Sequence, residues 1–393
     1  MARMIYITDM STIGSGYRNL SMPIVLGLME RGHEVKIVGL GYKNEEHWFD
    51  FSLLPADNFQ EAAGTTQNIY NFWGFDLIII GMDIPIQIRH FMKMFQNRPF
   101  KYIGIMPIES DPLIFTWAMG LMEMDKVLVI SEFGTAEAVK MGVPAIHIPI
   151  GIDTESWRVP IPEEKTKLRE KYGYSDDDFI IFTNADNQER KLLSRSMEIV
   201  ADFCDANPDV SVRYIMLTRK DLPVGWSLYD YAQSLGIQQN FTIFERGLNF
   251  HELWSLYAIS DVHLLTSESE GLGLPVLESM ATGVISLGTN CGGIKELTGT
   301  NRGFLIDYDY TYVNPFGNNT RYIASRKHGL EQLNYIHKHY NDHRVQNVRA
   351  VAREYAESRT WDKGVAVIDE AILDVMKQKE LEELTVDTGV SIL

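Results

Sequence analysis

Short apolar runs bounded by Gly, Pro, Asp or Ser recur along the chain, separated by stretches with helical spacing of apolar residues. Residues 4–9, 34–40, 75–81, 102–106, 126–130 and 145–149 have this form, which reads as strands buried on both faces. A helix is expected after the first run, to about Arg31, with Gly32 as its stop, and Ser131 is a natural N-cap for a helix after the fifth. The alternation then begins again. Residues 179–183, 210–217, 241–245, 261–266 and 284–287 read as strands, with a helix from Leu192 to Ala206. Strands alternating with helices predict parallel sheets wound on both faces. The expected organisation is therefore two Rossmann-like domains, 1–152 and 179–360, joined by a charged, proline-containing linker over 153–178. Residues 307–324 read as a loop insertion. Val365, Ile368, Ile372 and Val375 form one stripe of a last helix over 361–379, and 380–393 is expected to be a loose tail.

The length of 393 residues suits two domains, each able to bury its own core. The chain starts directly in a strand, so no signal peptide is expected, and no apolar run nears the ~20 residues of a membrane span. Cys204 and Cys291 are far apart, which fits a reducing, cytoplasmic setting without disulfides; a buried apolar thiol is the expected reading of either, with a nucleophile as the rival. The net charge is −17, shared as −5 over residues 1–150 and −12 over the rest. Neither part has the basic excess that favours a phosphate backbone or an anionic membrane, although an average can conceal a local basic patch.

Chemistry concentrates in Ser267-Glu268-Ser269-Glu270-Gly271-Leu272-Gly273-Leu274-Pro275-Val276-Leu277-Glu278, which follows the strand at 261–266 and runs into a helix ended by Gly283. A helix N-terminus offers unpaired N–H groups to an anion. Gly271 and Gly273 allow close backbone approach. Glu270 falls at the carboxyl end of a strand, where open α/β sheets bind ligands. Paired hydroxyls suit a carboxylate, so Glu270 and Glu278 suit a sugar or a ribose.

Seven residues separate the two glutamates in E-G-L-G-L-P-V-L-E, and Gly292-Gly293-Ile294-Lys295-Glu296 follows. This resembles the E-x7-E signature and the G-G-x-x-E element of retaining GT-B glycosyltransferases, the large glycosyltransferase family four. The resemblance implies a GT-B fold with an interdomain cleft and a C-terminal crossover helix. It implies transfer of a sugar from a nucleotide-sugar donor, such as a UDP- or GDP-sugar, with retention of configuration and without a metal or other cofactor. It makes Glu278 the ribose ligand, sets Glu270 against the donor sugar and brings the amides of Gly271 to Leu274 to the sugar and phosphate. Lys191 aligns with the family's pyrophosphate-binding Lys. Asp186 stands at the partner Arg position, so Arg190 takes that role.

Further candidates lie elsewhere. Gly14, Ser15 and Gly16 follow the first strand; in the family this loop lies across from the donor phosphates, and a purely structural turn is the rival. Arg18 pairs with a phosphate or caps a solvated face. A nicotinamide-dinucleotide site fits poorly, since the third glycine is missing and the second strand does not end in an acid. Arg246-Gly247 borders a base pocket. Glu109 and Asp111 stand where the family often has a His, with Glu109 either contacting the acceptor hydroxyl or capping its loop; Ile150 replaces a second family His. The catalytic candidates are thus Glu270, Lys191, Arg190 and Glu109. His337, His339 and His343 read as a solvated helix rather than a metal site. Acceptor classes left open are a carbohydrate, a lipid, a small molecule or a modified DNA base, the last in a viral or phage member that the loops around Tyr17-Arg18 and Arg190-Lys191 resemble. An epimerase or hydrolase on the same fold and a catalytically silent nucleotide-sugar-binding scaffold are the rivals, and a homo-oligomer is compatible with all of these.

Overall fold

The computed structural model describes residues 1–11, 15–47, 49–109, 111–220, 225–315 and 319–388. The chain forms two compact units. The first is Met1–Ile108, Pro112–Gly151 and Thr360–Leu393; the second is Glu109–Asp111 and Ile152–Arg359.

The first unit is built on seven parallel strands: β1 (Arg3–Asp9), β2 (Glu34–Leu40), β3 (Leu53–Ala56), β4 (Leu77–Gly81), β5 (Lys101–Met106), β6 (Lys126–Val129) and β7 (Ala145–His147). Their order is β3-β2-β1-β4-β5-β6-β7. Leu77, Ile78, Ile79 and Ile80 of β4 are all buried, as a strand covered on both faces requires. Strand β3 and the helix Phe59–Trp73 are additions to the expected pattern. β3 has only four residues and contains Pro55, which an edge strand tolerates. The helix is capped by Asn58, whose side chain accepts from Glu61 N at 2.9 Å, and it stops at Gly74, φ 63°. Ser131 caps its helix as expected, accepting from Gly134 N.

The last helix, Trp361–Thr388, also belongs to this unit and runs on past the expected end at 379. It packs on the helix Gly16–Glu30, where Val365 Cγ2 would lie 2.8 Å from a Cβ at Gly27. Arg31–Asp362, Lys126–Asp374 and His33–Asp369 (2.8 Å) tie it down.

The second unit has six parallel strands: β8 (Phe179–Asn184), β9 (Val212–Thr218), β10 (Phe241–Glu245), β11 (Val262–Leu265), β12 (Ile285–Thr289) and β13 (Phe304–Ile306), ordered β10-β9-β8-β11-β12-β13. Residues 153–178, read as a linker, group with this unit and contain the helix Pro162–Lys171. The buried Arg169 of that helix donates to the carbonyls of Ile259 and Asp178 and to Asp261 Oδ2 at 2.8 Å, and Lys165 donates to the other oxygen of Asp261 at 2.8 Å, so two cations fasten the segment to the sheet.

The expected loop over 307–324 is instead an antiparallel hairpin, β14 (Tyr308–Asn314) and β15 (Asn319–Ala324). Tyr308, Tyr310 and Tyr312 alternate with Asp309 and Thr311 on the first arm, and Thr320, Tyr322 and Ile323 lie on the second, which favours strand over loop. Among the described residues no helix is long and apolar enough to cross a membrane.

Candidate active site

In the second sheet the strand order reverses between β8 and β11, so the loops leaving their carboxyl ends run to opposite sides and a crevice opens between them. Both loops carry charge. After β8 the chain passes Asp186 and enters a short 3-10 turn, Glu189–Lys191. Leu192 follows at φ 45°, in the left-handed region that non-glycine residues seldom occupy. Two bonds hold it there. Thr266 Oγ1 donates to Leu192 O at 2.9 Å, and Glu268 N donates to Arg190 O at 2.8 Å. The cation-bearing turn is thus locked to the segment leaving β11, at a strain of about 1–3 kcal/mol.

That segment turns through Gly273, φ 90°, into the helix Leu274–Ala281, with Pro275 in its first turn and Gly283, φ 71°, after its end. The helix start has no side-chain cap and no acid in its first turn. The next helix, Gly292–Thr298, leans on the same turn: Gly293 N donates to Glu270 O at 2.9 Å. A Cβ on Gly293 would sit 2.4 Å from Leu272 Cα, so packing demands glycine there. Gly271, Leu272 and Gly273 are buried.

Glu270 is buried and takes Lys191 Nζ at 2.5 Å and Arg190 Nη1 at 3.1 Å. Arg190 Nη1 also donates to Ser269 O at 2.8 Å and lies 3.2 Å from Glu109 Oε1. Burial acts to raise the Glu270 pKa, but the two cations outweigh it and hold the carboxyl well below the usual range, so Glu270 is ionised. Burial, and then Arg190, lower the Lys191 pKa, while Glu270 opposes them.

Glu278 is buried inside its helix. Tyr257 Oη at 2.7 Å and Asn184 Nδ2 at 3.3 Å both donate to its Oε2, and no described residue donates to its Oε1. Burial raises its pKa, opposed by Tyr257 and Arg246. Asp186, at the expected Arg position, is held by Arg219, whose Nε donates at 2.8 Å, and lies 3.9 Å from Arg246 Nη1.

The structure therefore brings Glu270, Lys191, Arg190 and Glu109 into one cluster, with the Gly271–Leu274 turn beside it and Glu278 and Arg246 joined electrostatically further along the same sheet edge. Ser15 and Gly16 belong to the first unit, where Ser15 caps the helix Gly16–Glu30 by accepting from Tyr17 N at 3.2 Å; Gly14 lies outside the described residues. His337 packs its ring on Phe179 and Phe203, and His339 pairs with Asp342. Among the described residues no group of three or more His, Cys, Asp or Glu is arranged to hold a metal. Cys291 is buried, with its thiol pKa pushed up by burial.

Sequence reasoning missed Tyr257 and Asn184, the two donors to Glu278, because burial on separate elements leaves no local signal. It missed Arg321, Tyr312 and Tyr322 by reading their hairpin as a loop, although the strand alternation was there to see.

Residues 164–309 match the family model for glycosyl transferases group 1. This stretch covers the cation turn and both glutamates. The chain is 28% identical over 297 residues to N-acetyl-alpha-D-glucosaminyl L-malate synthase of Bacillus anthracis, spanning 69% of this chain and 74% of that protein. It is 32% identical over 159 residues to the putative glycosyltransferase EpsD of Bacillus subtilis (strain 168), spanning 40% of each. Among solved structures it resembles a glycosyltransferase from Rickettsia africae ESF-5, with a TM-score of 0.74 and 15% identity over 96% of this chain and 99% of that one. It also resembles Anabaena Alr3699/HepE in complex with UDP and glucose, with a TM-score of 0.71 and 15% identity over 96% of this chain and all of that one. At such identities these likenesses establish the fold: two Rossmann-like parallel-sheet domains of the GT-B glycosyltransferase type.

Proposed function

We propose that this chain moves a sugar from a nucleoside diphosphate donor to an acceptor hydroxyl with retention of configuration, and that the second unit holds the donor. One observation carries the reading. At a single sheet edge, Glu278 offers an oxygen to which no described residue donates, and Glu270 holds two part-buried cations at the neighbouring turn. A ribose supplies hydroxyl donors for the first. A diphosphate supplies anionic oxygens for the second.

The chemistry follows from the charges. An incoming diphosphate competes with Glu270 for Lys191 and Arg190 and makes charge-assisted hydrogen bonds to them. The uncapped helix start at Leu274 adds N–H groups and partial positive charge. As the bond from sugar to phosphate breaks, negative charge grows on the leaving diphosphate, where these groups are already in place. Glu270 keeps the two cations positioned before the donor arrives and lies at the turn where the sugar would sit. Retention rests on the family resemblance. The UDP in the Anabaena structure that the chain resembles is a nucleoside diphosphate of this kind.

A thermal-shift panel of UDP, GDP, ADP and dTDP tests the reading. At a hundredfold excess over Kd, binding to the folded state adds about 2.7 kcal/mol. Glu278→Ala should abolish the shift. No shift of the wild-type chain with any of the four overturns the proposal.

A further inference from the structure

The hairpin β14–β15 lies outside both parallel sheets, yet it makes several side-chain and main-chain bonds to the glutamate turn. Tyr322 N donates to Glu268 O at 3.0 Å, and Tyr312 Oη donates to Glu268 Oε2 at 2.9 Å. Arg321, paired across the hairpin with Tyr312, donates from Nη1 to Ser269 Oγ. The Arg321 side chain is buried and lies 4.0 Å from Glu109 Oε2, while the other oxygen of Glu109 faces Arg190. On the opposite face of the hairpin, Tyr322 Oη donates to Asp111 Oδ2 at 2.7 Å, and its ring packs edge-on against Tyr308. Two adjacent residues of β15 thus bind the glutamate turn and the Glu109–Asp111 segment at once.

A buried guanidinium on a hairpin is a costly way to fasten a loop, since apolar packing would serve stability as well. What apolar packing could not supply is a fixed distance between two carboxylates and the cation they share. Arg190 Nη1 is contacted by Glu270, Glu109 and the carbonyl of Ser269. Arg321 contacts Glu109 and the side chain of Ser269.

We propose that the hairpin β14–β15 is a brace for the donor turn, and that Arg321 and Tyr322 are positioning residues that hold Glu109 against Arg190 and so set where that cation meets the leaving diphosphate. This rests on the reading of Arg190 as a diphosphate ligand. The brace acts on the chemical step more than on ground-state binding, because Glu278 and the ribose end of the site lie outside its contacts. A 1 Å misplacement of such a group costs up to about a hundredfold in rate.

The test uses the full chain, with UDP-glucose and GDP-mannose as probes and release of the nucleoside diphosphate as the readout. Tyr322→Phe removes only the hydroxyl bond to Asp111 and keeps the strand and its main-chain bond. It should lower kcat at least tenfold while donor KM and nucleoside diphosphate affinity stay within about twofold. Arg321→Met should do the same more severely, and Arg321→Lys should restore part of the loss. Equal kcat in wild type and Tyr322→Phe overturns the brace, as does a parallel loss of kcat and nucleotide affinity in Arg321→Met. Glu278→Ala serves as the control for the underlying reading. If wild type and Glu278→Ala bind UDP and GDP equally, or neither binds, the donor site itself is misplaced and the brace falls with it.

Discussion

The two units wind their sheets alike, each with its first strand flanked on one side by the second and third and on the other by the fourth. Their switch points differ in chemistry. At the carboxyl ends of β1 and β4, the described residues contribute Ser11 N on Asp9 Oδ1 and a Tyr17–Asp83 hydrogen bond. At the carboxyl ends of β8 and β11 the second unit gathers Asp186, Arg190, Lys191, Glu268, Glu270 and Glu278, most of them buried. The same topology supplies a crevice in both places, and among the described residues it is the second that is filled with paired charge. Function follows the side chains brought to the edge, not the winding. Ionised groups held out of water cost stability, so their gathering at this edge supports the proposal that the donor is held there.

The sharpest break in that contrast is Lys191→Ala. It removes a preformed cation and leaves Glu270 with Arg190 alone. Turnover should fall by about a hundred- to a thousandfold, the usual loss for one preorganised transition-state donor. Asp83→Ala, the matching change in the first unit, removes one hydrogen bond and should cost far less. Nucleoside diphosphate release from UDP-glucose or GDP-mannose measures both, and equal losses would erase the distinction between the two edges.

Next comes a pair of substitutions with opposite signs. The Glu270 pKa is lowered by folding, so its contribution is present above the unfolded value of about 4.3 and is lost as pH falls through the folded value. The Glu278 pKa is raised by burial, so its contribution is present below the unfolded value and is lost as pH rises through the folded value. At neutral pH, Glu270→Gln should destabilise by about 3–5 kcal/mol, as breaking a buried ion pair does. Glu278→Gln should instead raise Tm while weakening nucleotide binding, a trade of function for stability. Denaturant melts at neutral and acidic pH check both. The two differences from wild type should shrink together on acidification, the Glu270 difference at the lower pH.

Much of this was legible in the residues. Eleven of the thirteen strands of the two parallel sheets follow from buried apolar runs; the short edge strands β3 and β13 do not. The glutamate turn follows from two acids bracketing Gly271 and Gly273. Lys191, Arg190 and Glu109 came from the family resemblance of their loops. What was not legible depends on distance in space. Tyr257 reaches Glu278 from a helix 21 residues earlier, and Arg321 reaches Ser269 from 52 residues later. No periodicity encodes such meetings. The helix Pro162–Lys171 was missed for another reason: its charged sequence carries little apolar pattern, and it is anchored by Leu168 in the core and by Lys165 and Arg169 on Asp261.

Glycine substitutions probe the contrast more gently. Gly293→Ala would set a Cβ 2.4–2.7 Å from the Leu272 backbone, so the turn must shift. The expected cost is about 1–3 kcal/mol, as for overpacking, with a fall in nucleotide affinity. Gly64→Ala lies in the helix Phe59–Trp73 of the first unit, where a Cβ meets nothing within 4 Å. It should stabilise by up to about 1 kcal/mol through helix propensity alone. Tm and nucleoside diphosphate affinity separate the two, since only the first change should move affinity.

The smallest effect is expected at Leu192, which carries its left-handed φ of 45° directly after Lys191. An L-residue in that region costs about 1–2 kcal/mol, which glycine escapes. Leu192→Gly also loses a half-buried side chain and loosens the unfolded chain, so stability should change by less than about 1 kcal/mol. Affinity should respond more than stability. With leucine the turn has few alternatives, and the bonds from Thr266 and Glu268 select one of them. With glycine those same bonds must hold a freer backbone, and Lys191 loses part of its preorganisation for the bound diphosphate. A nucleoside diphosphate should therefore bind more weakly to a protein that melts at nearly the same temperature. A drop in Tm with affinity unchanged would mean that the strain at Leu192 serves packing, and that the cation turn is held by its ion pairs alone.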